Sequence, residues 1–117
     1  MKTVYLLNSP VLTAYGLWRY AGPISVAQAR QRLQNCEVRS AIGHEASAAL
    51  LARLLERPVA VQRVRATLEP GDCALVLRLL DRLPEGMVLD DRQLAETPHE
   101  LSWMEFVESA EPGEAQP

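Results

Sequence analysis

Glu37-Val38-Arg39-Ser40-Ala41-Ile42-Gly43-His44-Glu45-Ala46-Ser47-Ala48-Ala49-Leu50-Leu51-Ala52-Arg53-Leu54-Leu55 changes its hydrophobic period midway, and with it the backbone it implies. Up to Ile42 it reads as a strand. At Gly43 the period switches, and apolar residues at 48, 51, 54 and 55 mark one face of a helix. A strand that passes through a glycine into an amphipathic helix points to an α/β protein.

Toward the N-terminus, Ser25 is placed to cap a helix over residues 26–33, in which Val26, Ala29 and Leu33 have helical spacing. Before it, Val11 to Pro23 is rich in aromatics (Tyr15, Trp18, Tyr20) and glycine without a sustained period, and reads as a long loop, a lid or an oligomer contact. Thr3-Val4-Tyr5-Leu6-Leu7, closed by Asn8-Ser9-Pro10, reads as a buried first strand. Toward the C-terminus, Val59 to Leu68 alternates around Val61, Val64 and Ala66, and Glu69-Pro70-Gly71-Asp72 turns the chain into the apolar run Cys73 to Leu80. These two runs are expected to form a hairpin of core strands. Leu83-Pro84-Glu85-Gly86 reads as a turn, Asp90 as the cap of a short helix through Leu94, and Leu101 to Val107 as the last strand. The expected order is β-α-β-α-β-β-α-β. It gives a single α/β domain over residues 1–107, with a mixed sheet of about five strands and flanking helices, and an acidic disordered tail over 108–117.

A chain of 117 residues can bury such a core without staples. Cys36 and Cys73 are far apart and belong to no Cys-x-x-Cys pair, which fits a reducing cytoplasm. The apolar run at residues 4–7 is broken too early for a signal core or a membrane span, so the expectation is a soluble, cytoplasmic protein that makes no use of a membrane. The net charge of −3 argues against a protein that tracks duplex DNA. Every base lies between Lys2 and Arg92, and without Glu108, Glu111 and Glu114 twelve acids balance twelve bases. Eleven of those bases are arginine, which suits phosphate recognition by the planar guanidinium and is also what a GC-rich genome would give.

Chemistry is most readily placed at the strand-to-helix junction. The first backbone N–H groups of a helix have no intrahelical partners and favour an anion. Gly43, lacking Cβ, would let a phosphate approach the backbone, Ser47 could present a hydroxyl one turn in, and His44 would stand beside the phosphate or serve only as a surface or capping residue. The helix dipole opposes a protonated histidine there, so a general acid at this place needs an anionic neighbour. Glu85 could supply one and Arg82 could meet a phosphate oxygen, although both also fit a solvated turn. No metal and no cofactor is expected: His44 and His99 are far apart, and there is no His-x-His, Cys-x-x-Cys, P-loop or Gly-x-Gly-x-x-Gly.

As a set, Tyr5-Leu6-Leu7-Asn8, Ala41-Ile42-Gly43-His44-Glu45, Gln62-Arg63-Val64 and Arg82-Leu83-Pro84-Glu85-Gly86 resemble the viral ring-nuclease, or type III anti-CRISPR, family of B116-like archaeal virus proteins and their bacterial homologues. The resemblance runs over roughly residues 3 to 107. It implies a homodimer that binds cyclic tetra-adenylate across its two-fold axis and linearises it without metal, switching off type III CRISPR signalling. It also implies catalytic roles for His44 as general acid with Arg82 and Glu85 beside it, and ligand binding by Asn8, Ser9, Gly43, Ser47 and Arg63. Glu45, Ser47, Gln62 and Arg78 stand where the family commonly has Asp, Thr, Asn and, at times, Gln. The rival readings are a non-catalytic sensor or sponge for the same ring, and a DNA-binding or protein-interaction module.

Overall fold

Leu50, Leu51 and Leu55 of one helix meet Val4 and Leu6 of the first strand and Cys73, Leu75 and Leu77 of a central strand, all buried, and this contact organises the domain. The computed structural model describes residues 1–81 and 90–110. Its elements are β1 (Thr3–Leu7), β2 (Gly16–Ile24), α1 (Val26–Leu33), β3 (Glu37–Ser40), α2 (Glu45–Leu55), β4 (Cys73–Leu79), α3 (Asp91–Glu96) and β5 (His99–Ser109). The five strands form one mixed sheet in the order β2-β5-β4-β1-β3. In it β1 runs parallel to β3 and β4, while β5 is antiparallel to β4 and β2. The expected class, a single α/β domain on a five-stranded mixed sheet with helices packed on it, is the class observed.

Strand alternation divides the core in two. Val4, Leu6, Cys73, Leu75, Leu77 and Leu101 face the helices, where Ala29 and Leu33 of α1, Leu94 of α3 and the apolar face of α2 cover them. On the opposite face Leu7, Ala74, Val76, Met104 and Phe106 gather under Leu68. β4 is therefore buried on both sides from Cys73 to Leu77, and so its sequence is a continuous apolar run. Each such leucine contributes about 1.5–3 kcal/mol of burial free energy.

The helices begin where local chemistry says they should. Ser25 and Gln28 exchange capping-box hydrogen bonds of 3.0 and 2.8 Å, and Asp90 and Gln93 do the same at 2.8 and 3.0 Å. At the far end of α2, Arg30 donates from Nε and Nη2 to the carbonyl of Leu54 at 2.9 and 2.7 Å, tying α1 to an otherwise orphaned helix terminus.

Three segments differ from expectation. The stretch from Val11 to Pro23, read as a loop, contains most of β2, an edge strand that extends to Ile24 and is exposed at most positions. An edge exposed on both faces needs no apolar alternation, and Gly22 and Pro23 are tolerated there because an edge can forgo a ladder bond. β2 is held to β5 by Trp18 stacked parallel on Phe106 at 4.2 Å, Arg19 on Glu105 at 2.9 Å, and the Tyr20 and Ser102 hydroxyls at 2.8 Å. Conversely, Val59 to Leu68 is not a strand, and no hairpin joins it to β4; the antiparallel partner of β4 is β5. Val61 and Val64 are exposed and three residues apart, which is not strand spacing, and only Leu68 is buried. This segment lies along the β3–α2 junction, where Ser40 Oγ donates to the Ala60 carbonyl at 2.6 Å and the Gln62 N–H to the Ile42 carbonyl at 2.8 Å. β5 also runs two residues beyond the expected Val107, so Glu108 and Ser109 belong to the sheet rather than to a tail.

Two outcomes follow for the core and its edge. Gly16 has φ +152°, and a Cβ there would overlap the Glu108 carbonyl and come within 2.8 Å of the Phe106 ring. Gly16→Ala is expected to lower unfolding free energy by about 2–4 kcal/mol in a urea titration; an unchanged midpoint would refute the β2–β5 register. Burial pushes the Cys73 thiol up, leaving less thiolate at any given pH, whereas Cys36 is only half-buried. Iodoacetamide at pH 8 should therefore label the native protein once, at Cys36, and twice in denaturant, as counted by intact mass.

Candidate functional site

β1 and β4 are parallel neighbours, so their carboxyl ends open on the same side of the sheet, where open α/β sheets commonly bind ligands. Asn8 follows β1, Leu80 and Asp81 follow β4, and the N-terminus of α2 stands above them. Together they enclose an open recess of about 430 Å³, lined by Asn8, His44, Ser47, Arg78 and Asp81 with Leu79 and Leu80. Asn8 also belongs to a second recess of about 400 Å³, whose polar wall is Ser9, Thr13, Arg65 and Thr67 and whose apolar wall includes Leu12, Ala41 and Val64.

His44 is the N-cap of α2. Its backbone is extended (φ −109°, ψ 124°), and its Nδ1 accepts the backbone N–H of Ser47 at 3.4 Å. As an acceptor, Nδ1 commits its lone pair to the helix cap and leaves Nε2 as the ring nitrogen available to other partners. Glu45 opens the helix with a carboxylate in the first turn, where the helix dipole favours it. Ser47 is 3% exposed and still borders the recess.

Gly43 and Arg63 are joined differently from expectation. A Cβ on residue 43 would stand 3.0 Å from Arg63 Cγ, and Arg63 Nε donates to the Gly43 carbonyl at 3.1 Å. The missing side chain makes room for the Arg63 stem. Arg63 thereby braces the turn between β3 and α2.

Of the residues singled out in the sequence, the fold brings Asn8, His44 and Ser47 together in one recess, places Ser9 with Asn8 in the other, and sets Gly43 and Arg63 behind the junction, lining neither. Arg82 and Glu85 lie outside the described residues. The fold adds Arg78 and Asp81 to the first recess and Arg65 and Thr67 to the second. For Arg78 the sequence carried a signal: it is the one charged residue in the apolar run from Cys73 to Leu80. Its guanidinium is paired with Glu100 at 3.0 Å. Among the described residues no three His, Cys, Asp or Glu side chains come together as a metal-binding group, and no helix is long and apolar enough to cross a membrane.

Comparison with known proteins agrees with this architecture. A family model described as STIV B116-like matches residues 4–101. Uncharacterized protein 26 of Sulfolobus islandicus filamentous virus (isolate Iceland/Hveragerdi) is 33% identical over 89 residues, 74% of this chain and 75% of its own length. Uncharacterized protein ORF116 of Acidianus filamentous virus 1 (isolate United States/Yellowstone) is 31% identical over 93 residues, 77% of this chain and 80% of its own. Among solved structures, B116 of Sulfolobus turreted icosahedral virus superposes with a TM-score of 0.69 over 87% of this chain and 97% of that one, at 21% identity, a likeness of fold.

The capping role of His44 has its own consequence. His44→Ala should cost about 0.5–1 kcal/mol of stability and His44→Asn should recover most of it, because asparagine caps as well as any residue. The urea midpoints of the two variants decide the matter; equal midpoints would mean that the 3.4 Å contact caps nothing.

Proposed function

The chain belongs to the STIV B116-like family, and from that premise we propose that it is a metal-independent ring nuclease, a cytoplasmic phosphodiesterase that binds cyclic tetra-adenylate and linearises it, switching off type III CRISPR signalling. The observation that carries this reading is the meeting of Asn8, His44, Ser47 and Arg78 around one recess at the N-terminus of α2. A phosphodiester placed there lies within the field of the helix terminus and beside an imidazole.

The reaction needs little from the protein beyond alignment and proton transfer. The ribose 2′-oxygen attacks the adjacent phosphorus, the O2′–P bond forms and the P–O5′ bond breaks. The 2′-hydroxyl proton leaves to solvent, and His44 gives its Nε2 proton to the departing 5′-oxygen. The products are linear oligoadenylates ending in a 2′,3′-cyclic phosphate and a 5′-hydroxyl. To act as the acid, His44 must hold a proton on both nitrogens, and a protonated Nδ1 cannot accept the Ser47 N–H. Binding and protonation are therefore one exchange: the phosphate takes over the Ser47 N–H, and the released Nδ1 takes up a proton stabilised by the phosphate charge. Arg82 is assigned to the charge developing on phosphorus and Glu85 to holding the imidazolium, both on the resemblance of Arg82-Leu83-Pro84-Glu85-Gly86 to the family motif. A ring of four equal nucleotides has two-fold symmetry, so we assign the working unit to a homodimer that brings two recesses to one ligand.

A second reading is favoured by the same cap. With Nδ1 accepting from Ser47, the His44 lone pair is engaged in the helix cap, which suits a sponge that binds the ring and leaves it intact.

Cyclic tetra-adenylate incubated with the protein in EDTA, and followed by chromatography with mass detection, separates the readings. Wild type should linearise the ring, while His44→Asn, which keeps the cap, should bind it and cut about 10²–10⁴-fold more slowly. Binding without cutting by wild type would establish the sponge, and no binding would remove the ring-nuclease reading altogether.

A further inference from the structure

Arg78 carries a charge that the core does not require. It follows five buried residues on β4 and faces Glu100 directly across the β4–β5 ladder, with Nη1 3.0 Å from Oε1. The two side chains are 59% and 33% exposed, and an ion pair this open to water adds little to stability. Yet Arg78 lines the recess shared by Asn8, His44, Ser47 and Asp81, and among the described residues it is the one guanidinium doing so. A guanidinium has five N–H donors in a planar fork, and Glu100 is its one hydrogen-bonded partner among the described residues.

We propose that Arg78 is a phosphate-binding residue of this recess and that Glu100 is its built-in competitor, setting how tightly a phosphodiester is held. The inference rests on the ring-nuclease reading and deepens it. A phosphodiester oxygen and the Glu100 carboxylate each offer one negative charge to the same guanidinium. The two therefore compete for it: without ligand the guanidinium stays paired with Glu100, and a bound phosphate shares or displaces the carboxylate. The carboxylate recaptures the guanidinium as the ligand leaves. Among the described residues Arg78 is the one basic guanidinium on the wall to offset Asp81, so without it the recess would hold an anion less well.

This arrangement predicts opposite signs for the two partners, whereas a structural brace predicts the same sign. The test is the dissociation constant of cyclic tetra-adenylate at several salt concentrations, in the His44→Asn background so that the ring stays intact, for the parent, Arg78→Gln and Glu100→Gln. Arg78→Gln should weaken binding about tenfold, the worth of one charged hydrogen bond, and reduce the salt slope by roughly 0.7. Glu100→Gln keeps an acceptor for the guanidinium but removes the competing charge, and should tighten binding. Both should melt within a few degrees of the parent, as loss of an exposed pair requires. If both variants weaken binding alike, with the salt slope unchanged, the pair is a brace and the inference fails while the proposed function stands. If the parent binds no ring, the proposed function and this inference fall together.

Discussion

Strand β4 is buried on both faces from Cys73 to Leu77, and the placement of every group in the candidate site depends on it. Its helix-facing residues hold α2 against the sheet, which fixes where the first turn of α2 projects. Its parallel pairing with β1 sets Val76 opposite Leu7, the last residue of β1, so that β4 runs on past β1 to Leu79 at the recess. Its antiparallel pairing with β5 sets Glu100 against Arg78. A cavity introduced under β4 would therefore act on the site as well as on stability, since core packing lacks the slack to absorb it locally.

What could be read from the sequence was what local chemistry determines. The caps at Ser25 and Asp90, the helical face of α2, the turn at Glu69 to Asp72 and the run of β4 each depend on a few neighbouring residues, and each was legible. β2 was not, because its place is conferred by β5: Trp18, Arg19 and Tyr20 find partners more than eighty residues away, and an exposed edge imposes no pattern on its own sequence. The misreading of residues 59–68 has the converse cause. Several β-branched residues suggest a strand, but β4, the expected hairpin partner, already pairs on both sides with β1 and β5, and the segment lies instead along the junction it braces. Of the site, Asn8, His44 and Ser47 could be found because they sit at ends of local elements. Arg78 was visible as a lone charge in an apolar strand, but its meaning depended on knowing that β4 ends at the recess.

His44 shows how stability and chemistry can contend for one side chain. As an N-cap its Nδ1 must be unprotonated; as a general acid it must be protonated on both nitrogens. A residue that only capped would be better served by Asn, Asp or Ser, whose oxygens accept the N3 amide with shorter reach. An imidazole at this position, making a long cap bond beside a polar recess, is the weaker choice for the helix, and under the proposed function it is the group that transfers the proton.

The charge distribution points the same way. The chain is rich in arginine, but among the described residues six ion pairs, at Arg19, Arg30, Arg39, Arg53, Arg78 and Arg92, join guanidinium to carboxylate over the surface. Arg32 lies over the Trp103 ring at 5.2 Å, and Arg63 is turned onto the Gly43 carbonyl. These pairings leave fewer free guanidinium groups for a duplex, whose non-specific binding grows with the number of phosphates neutralised. A small cyclic phosphodiester makes a different demand. It needs a few donors fixed at the right place, and a helix terminus with one arginine held ready by its own counter-ion can supply them without giving the whole protein a positive charge.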